Sequence, residues 1–227
     1  MIIGLICLLF TLAVYWTSKR VYRAKPRIYL SPLLVTPLVL ILCLLAAKIP
    51  FESYNKGGKL LTDLLQPATI AFAIPLYKYF NVLKKHAVVI FVSVLSGSIV
   101  AMITSAFLGK WMHMDTSLVN SLVPRSVTTP IAMNISQVIG GVPNMTAVFV
   151  IITGLLGSLI GPSVLKLFRI ENEIARGVLL GTSAHGMGTS KAFEFSSLSG
   201  TISSISMILS ALITLGVAPL FISLLLG

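Results

Sequence analysis

Long apolar stretches alternate with short polar ones along the whole chain. A transmembrane helix needs about 20 apolar residues to cross roughly 30 Å of hydrocarbon, and most of these stretches approach or exceed that length. The pattern therefore predicts an all-α polytopic membrane protein with about 6–8 transmembrane segments. The predicted segments are residues 2–16, 29–47, 60–80, 87–109, 119–142, 144–168, 177–195 and 200–226.

Two of the segments, 119–142 and 177–195, are poorly suited to a continuous helix. The first contains Pro124 and Arg125, and the second is rich in glycine and contains His185. Proline and glycine interrupt helices, and non-helical backbone at membrane depth must be enclosed by protein or a water-filled cavity. Each segment either crosses as a broken helix or enters and leaves on the same side as a re-entrant hairpin.

The positive charges predict how the segments are oriented. The chain has 17 Lys and Arg against 6 Asp and Glu, a net charge of +11, and the cations lie in short loops between apolar segments. This placement indicates topology signals facing anionic lipid rather than a nucleic-acid site. The densest basic loop, residues 19–27, is expected in the cytoplasm, which puts the N-terminus outside. Re-entrant hairpins place the basic loop 166–176 on that same side, so we favour hairpins over two further crossings.

The composition excludes several classes of protein. The chain is 56% hydrophobic and 10% charged, whereas soluble domains are about 45–50% apolar and about 25% charged. A cytosolic enzyme, a disordered chain and a coiled coil are therefore excluded. Cys7 and Cys43 lie in apolar segments, and no spacing indicates a metal site or a phosphate loop. We expect no catalytic residue, cofactor or metal, and a single integral membrane domain over residues 1–227.

A weak internal repeat relates residues 119–168 to residues 177–226. At an offset of 60 residues, Arg125 falls opposite His185. The identities are few, so chance similarity stays open as an explanation. Each unit nevertheless combines a broken segment with an uninterrupted apolar one. Inverted repeats with interrupted helices indicate the binding site of a secondary transporter.

Arg125 is the centre of a candidate binding site. Half-helix N-termini offer a partial positive charge and free N–H donors, and a guanidinium binds a carboxylate bidentately. Arg125 beside nearby hydroxyls therefore predicts a site for a small carboxylate between the two broken segments. The alternative is that Arg125 simply reaches the membrane interface from a loop. The candidate substrate-binding residues are Arg125, Ser126, Thr128, Thr129, Asn134, Thr182, Ser183, His185, Gly186, Gly188 and Thr189.

Three titratable residues are candidates for carrying a coupling proton. They are His185, Glu194 and Asp63, of which histidine titrates nearest to neutral pH. Each has a structural alternative: His185 as a neutral buried imidazole, Glu194 in an ion pair with Lys191 three residues away, and Asp63 at the water boundary.

Two stretches carry a resemblance to a known family. Residues 124–132 (Pro-Arg-Ser-Val-Thr-Thr-Pro-Ile-Ala) and 181–190 (Gly-Thr-Ser-Ala-His-Gly-Met-Gly-Thr-Ser) resemble the two signature segments of the LrgB/CidB family. The resemblance covers nearly the whole chain, and it implies a multi-pass protein of the bacterial cell (inner) membrane with a small membrane partner of the LrgA/CidA type. It implies one of two functions. Some relatives are described as antiholin-like regulators of murein hydrolase export and autolysis, while others take up pyruvate, and a plastid relative exchanges glycolate and glycerate.

The leading hypothesis is a transport protein for small monocarboxylates such as pyruvate. The rival hypothesis is an antiholin-like regulator of murein hydrolase export and autolysis that has no substrate of its own, and a passive scaffold for the partner is a third option. The expected partners are the small membrane protein, a small carboxylate and the lipid bilayer. A homo-oligomer is left open, and nucleic acid is excluded.

Overall fold

The described part of the chain is helical. The structure is a computed structural model that describes residues 2–25, 28–64, 67 and 77–225. Within these ranges there is no strand, and a short 3-10 turn covers Ile28–Leu30, which confirms the all-α prediction. The helices are α1 (Ile2–Ala24), α2 (Pro32–Ala46), α3 (Phe51–Asp63), α4 (Phe80–Trp111), α5 (Thr116–Leu122), α6 (Thr129–Val138), α7 (Pro143–Leu167), α8 (Glu173–Phe195) and α9 (Ser197–Leu225).

Several of these helices suit a lipid environment. Large hydrophobic side chains such as Phe107, Leu156 and Leu220 are exposed on their outer faces, as expected for a surface against acyl chains. α2 is a shorter apolar helix of 15 residues. Four helices in the described ranges are long and apolar enough to cross a membrane, over Ile3–Ala24, Phe80–Trp111, Pro143–Leu167 and Ser197–Ser223. The chain is a polytopic membrane protein.

The described residues divide into two units, and the first contains α1, α2 and α3. In this unit α1 packs against the other two helices. The Thr11 and Tyr54 hydroxyls lie 3.2 Å apart. Gly4 and Gly57 let the backbones of α1 and α3 touch, because a Cβ on Gly57 would clash with the Gly4 carbonyl. Such close approach through small residues is the usual way that helices associate in membranes.

The helices continue past the ends of the apolar stretches, so the predicted loops were partly wrong. α1 runs through Lys19 and Arg20, α3 contains Lys56 in a predicted loop, and α4 begins at Phe80 rather than at residue 87. Lys and Arg are good helix formers whose aliphatic stems cover apolar surface. A basic residue therefore marks the end of the apolar stretch, not the end of the helix. The predicted segment 60–80 lies mostly outside the described residues.

The second unit contains two helical hairpins, and the first hairpin is made of α5 and α6 (residues 116–138). Its two ends meet: Asn120 Nδ2 donates to the Ile139 carbonyl at 2.7 Å, and the Val142 N–H donates to Ser121 Oγ at 2.7 Å. The turn between the helices spans residues 123–128. Pro124 cannot continue α5, and a second proline suits the first turn of α6.

The second hairpin is α8 itself (residues 173–195), which is interrupted at its middle. Ala184 and His185 have non-helical backbone angles, and φ of His185 is +40°. Beyond this break the backbone of Gly188 lies against the Leu180 carbonyl, although a straight helix would separate them by about 12 Å. At the base, the Arg176 guanidinium lies 5.6 Å from the ring of Phe195. α8 therefore folds back on itself in two limbs.

The two hairpins approach from opposite ends of α7. The base of the first lies at the start of α7, where Thr146 Oγ1 donates to Ser136 Oγ at 2.7 Å. The base of the second lies at the other end, where Arg176 Nε donates to the Ile170 carbonyl at 2.8 Å. α7 has 25 residues, so these ends are about 37 Å apart. The prediction of two broken segments is confirmed, and both fold as hairpins, while re-entry into the membrane, the proposed sequence repeat, the single domain and the N-terminal orientation stay predictions.

Small residues seat the first limb of α8 on α9. A Cβ on Gly177 would clash with the Ser199 carbonyl, and one on Gly181 would clash with the Ser203 carbonyl. The Ser199 hydroxyl also donates to the Glu173 carbonyl at 3.0 Å. The glycines of α8 and the hydroxyl residues of α9 thus fit together without a gap, which fixes the limb that leads to the tip of the second hairpin.

The second hairpin predicts a cross-link at its base. In a chain with Cys7→Ser and Cys43→Ser, the pair Arg176→Cys and Phe195→Cys should be joined in high yield by a short bifunctional thiol reagent. The hairpin brings these positions together, whereas a continuous helix would hold them about 28 Å apart. Mass spectrometry of the digested protein detects the joined peptides.

The control pair is Phe195→Cys with Ser183→Cys, which combines the base of the hairpin with a position near its tip. This pair should remain unlinked. Equal yields from the two pairs, or no link in the first, would contradict the hairpin.

Candidate functional site

An open cavity lies where the first hairpin meets α4 and α8. Its volume is about 320 Å³, and three elements line it. α4 contributes one wall, the turn of the first hairpin contributes the second, and the first limb of α8 contributes the third. The lining residues are Ser93, Gly97, Val100, Ala101, Arg125, Ser126, Val178, Leu179, Thr182 and Ser183.

Arg125 brings a positive charge to this cavity from the turn of the first hairpin. Its Nε donates to Ser105 Oγ at 2.9 Å, and the Ser105 hydroxyl in turn donates to the Ala101 carbonyl at 2.6 Å. These two bonds fix the plane of the guanidinium against α4. Among the described residues, no carboxylate pairs with Arg125. Arg125 is therefore a half-buried cation without a counter-charge in the described part of the chain.

Two hydroxyls that line the same cavity lack partners. Ser126 is 2% exposed and Thr182 is 8% exposed, and within the described ranges neither hydroxyl oxygen has a hydrogen-bond partner. A buried polar group without a partner costs about 1–3 kcal/mol, so native proteins rarely contain one without a reason. Ser126 comes from the first hairpin and Thr182 from the second. A bound polar group between the hairpins would satisfy both.

This arrangement suits a small carboxylate. The outer nitrogens of a guanidinium can donate two parallel hydrogen bonds to one carboxylate, and in Arg125 only Nε has a partner within the described chain. A hydroxyl on each side adds donors and acceptors for the rest of the molecule. Gly97 keeps the space open, because a Cβ there would lie 3.1 Å from Cγ2 of Thr182.

Four of the predicted substrate-binding residues line the cavity, namely Arg125, Ser126, Thr182 and Ser183. Three others from the first broken segment do not line it. Thr128 and Thr129 are half-buried at the start of α6, and Asn134 is exposed on the same helix. These three residues lie beyond the turn, on α6 or at its start, and are not among the residues that line the cavity. Their part in binding stays a prediction.

The remaining predicted residues of the second segment lie at or beyond the break in α8. His185 is buried, with Nε2 3.0 Å from the Val150 carbonyl of α7, and Thr189 Oγ1 lies 3.0 Å from Ser203 Oγ of α9. Gly188 is packed against the first limb of its own hairpin. Gly186 is half-buried, and a Cβ there would meet nothing within 4 Å. These contacts hold the tip of the hairpin between α7 and α9.

Neither of the two carboxylates proposed for proton coupling is among the residues that line the cavity. Glu194 is exposed near the base of the second hairpin, where its Oε2 lies 2.6 Å from Lys191 Nζ. Asp63 is the last residue of α3 in the first unit and is exposed. Glu194 thus adopts the surface ion pair named above as its alternative, and proton coupling by any of the three candidates stays a prediction.

Sequence reasoning missed the contribution of α4. Ser93, Gly97, Ala101 and Ser105 form one wall of the cavity and its support for Arg125. Their spacing of four residues places them on one face of the helix, so this row of small residues in an otherwise apolar segment is a signal that could have found them. The predicted segment 87–109 contains no charged residue, so its row of small residues was not recognised as part of a site.

Comparisons with known proteins place the chain in a family. The sequence model of the LrgB-like family matches residues 11–224. The chain belongs to the LrgB-like family. This confirms the resemblance drawn from the two signature stretches.

Relatives cover nearly the full length of the chain. It is 65% identical over 223 residues to the uncharacterized protein YwbG of Bacillus subtilis (strain 168), covering 98% of this chain and 99% of that protein. It is 35% identical over 219 residues to the holin-like protein CidB of Staphylococcus aureus (strain N315), covering 96% of each. It is 38% identical over 191 residues to the antiholin-like protein LrgB of Bacillus cereus (strain B4264), covering 84% and 83%.

No solved structure gives a significant match to the chain. Family membership and the long apolar helices together define a multi-pass membrane protein of the Cid/Lrg system.

The two glycines near the tip of the second hairpin should respond differently to a methyl group. Gly188→Ala should destabilise the protein by about 1–3 kcal/mol, because its Cβ would meet the Leu180 carbonyl, which is backbone and cannot move aside. Gly186→Ala is the matched control and should change stability by less than about 1 kcal/mol, since its Cβ enters open space. Thermal unfolding of both variants in detergent measures the difference.

A structural role for Gly188 would be refuted if its alanine variant unfolded like the wild type while losing ligand binding. That result would instead support the predicted role of Gly188 in binding substrate.

Proposed function

We propose that the protein transports small monocarboxylates such as pyruvate across the bacterial cell membrane, together with a small membrane partner of the LrgA/CidA type. The observation that carries the proposal is the Arg125 guanidinium, which has no counter-charge within the described chain and lies in a cavity with two partnerless hydroxyls. A cation at membrane depth is costly unless it is paired or hydrated. A mobile anion that binds and leaves would supply the missing partner.

The geometry favours a small and polar anion. The volume of about 320 Å³ lies at the lower end of the range for small-molecule sites. The partnerless hydroxyls come from Ser126 on one hairpin and Thr182 on the other. A short carboxylate could bind Arg125 with its charged end and reach Thr182 with a second oxygen, which suits a two- or three-carbon acid.

The hairpins also supply a route for alternating access. They approach from opposite ends of α7, and the cavity lies between the turn of the first and the limb of the second. In secondary transporters, broken helices meet at a site near the middle of the membrane, and one element moves relative to the other. A substrate that bridges Arg125 and Thr182 would then be exposed alternately to either side.

A second candidate function is regulation of murein hydrolase export and autolysis. It is favoured by the names of two relatives, the holin-like CidB of Staphylococcus aureus and the antiholin-like LrgB of Bacillus cereus. A regulator without a substrate has no need for the charge of Arg125. The two functions therefore make opposite predictions for a variant that lacks this charge.

Removing the positive charge of Arg125 should strongly reduce the uptake of substrate without preventing folding. In proteoliposomes that contain the partner protein, Arg125→Ala should lower the initial uptake of labelled pyruvate by roughly 10- to 100-fold, because hydrogen bonds to charged groups contribute about 1.5–3 kcal/mol each. Arg125→Lys should recover only part of the rate, since an ammonium keeps the charge but not the planar fork. The measurement is repeated without the partner and across a pH gradient.

The matched control is Arg23→Ala, which removes an exposed arginine in the last turn of α1 and should leave uptake unchanged. Thermal unfolding confirms that each variant is folded. Wild-type uptake that survives in folded Arg125→Ala would contradict the proposal. Absence of uptake from every form, together with an autolysis phenotype that does not depend on Arg125, would support the regulator.

A further inference from the structure

A second cavity lies at the base of the second hairpin and shares no lining residue with the cavity of Arg125. Its volume is about 250 Å³, and it lies where α7 ends and α8 begins. Three cations line it, Lys166, Arg169 and Arg176. Apolar side chains that include Leu165 and Phe195 complete the wall.

One of these cations is held in place. Arg176 is half-buried, and its Nε donates to the Ile170 carbonyl at 2.8 Å while its guanidinium lies 5.6 Å from the ring of Phe195. Within the described chain its other nitrogens have no hydrogen-bond partner. A guanidinium fixed in this way is prepared to bind an anion with little loss of side-chain freedom.

No ion pair within the described ranges neutralises the positive charge of this cavity. Glu171 lines the cavity and Glu173 begins α8, but neither forms an ion pair with any of the three cations in the described residues. The side chain of Asn172 is already used, because its Oδ1 accepts from the N–H groups of Ile174 and Ala175. Two positive charges therefore remain in excess of Glu171.

The position of the cavity indicates a lipid as the source of the anion. α7 is long enough to cross the membrane, and the cavity lies where α7 ends, with Arg176 and Phe195 of the second hairpin on its other side. Basic pockets beside the ends of transmembrane helices suit phospholipid headgroups. Leu165 and Phe195 offer an apolar surface next to the cations, which matches a molecule with a phosphate at one end and hydrocarbon at the other.

We propose that this cavity binds the phosphate of an anionic phospholipid headgroup. The phosphate contacts Arg176 and Arg169, Lys166 adds charge, and the glycerol and first methylenes lie against Phe195. The binding secures the base of the second hairpin between α7 and α9. The proposal is independent of the proposed transport, because none of these residues lines the cavity of Arg125.

Arg169 offers a variant that removes charge without straining the fold. It follows the end of α7 with φ of +51°, and the Ile170 N–H donates to the Leu165 carbonyl at 2.9 Å. This is the helix-ending geometry that glycine prefers, so Arg169→Gly should fold at least as well as the wild type. Lys48 ends α2 in the same geometry, with φ of +51°, and Lys48→Gly is the matched control.

The test is the thermal unfolding of purified full-length protein in neutral detergent with added lipid. Phosphatidylglycerol should raise the unfolding temperature of the wild type, whereas phosphatidylcholine and inorganic phosphate should not. In the double variant Arg169→Gly with Lys166→Gln, the concentration of phosphatidylglycerol needed for half of the shift should rise at least about 10-fold, as expected when hydrogen bonds to a charged group are lost. Lys48→Gly should respond like the wild type.

Three results would overturn the proposal. One is an equal shift with phosphatidylglycerol and phosphatidylcholine, and another is an unchanged response in the double variant. A third is a full shift with inorganic phosphate alone, which would assign the cavity to a soluble anion instead of a lipid.

Discussion

The rest of the structure depends on one constraint: a helix that stops inside a membrane must have its free backbone groups enclosed by protein or water. Two hairpins in this chain interrupt their helices, at residues 123–128 and at Ala184–His185. The first tip lies against the wall formed by α4, and the second lies between α7 and α9. The helices around the tips therefore carry glycine, serine and alanine where an apolar span would normally carry larger residues, and these small residues leave the cavity between the hairpins.

The two cavities place an arginine in different surroundings. Arg125 lies between the turn of the first hairpin and the first limb of the second, where its charge has no partner within the described chain and a bound anion could balance it. Arg176 lies at the end of a span, where a lipid headgroup could stay bound. The first cavity is lined by elements that approach from opposite ends of α7, so a movement between these elements would let a bound anion leave. The cations of the second cavity lie at a single helix junction, so an anion bound there would be expected to stay.

Much of this architecture could be predicted from the sequence, because proline and glycine act locally. Pro124 and the glycines of α8 predicted the two hairpins, and Arg125 predicted the candidate binding site. The wall of α4 was missed, since the meaning of Ser105 depends on a contact with a residue 20 positions away. The ends of several helices were predicted wrongly. Hydropathy indicates which residues face lipid, whereas a helix can continue through lysine and arginine beyond the apolar stretch. A part of His185 in binding substrate stays a prediction, and the contact of its ring with the Val150 carbonyl on α7 is one that no local pattern reveals.

The most direct test of the account is a solid-state NMR measurement of the contact between substrate and guanidinium. Wild-type protein with ¹⁵N-labelled arginine is reconstituted in lipid with pyruvate labelled by ¹³C at the carboxylate. The account predicts a short-range dipolar coupling between the carboxylate carbon and the outer guanidinium nitrogens that disappears in Arg125→Lys, although the other arginines keep their label. A coupling that persists in that variant, or no coupling at saturating pyruvate in the wild type, would contradict the central claim.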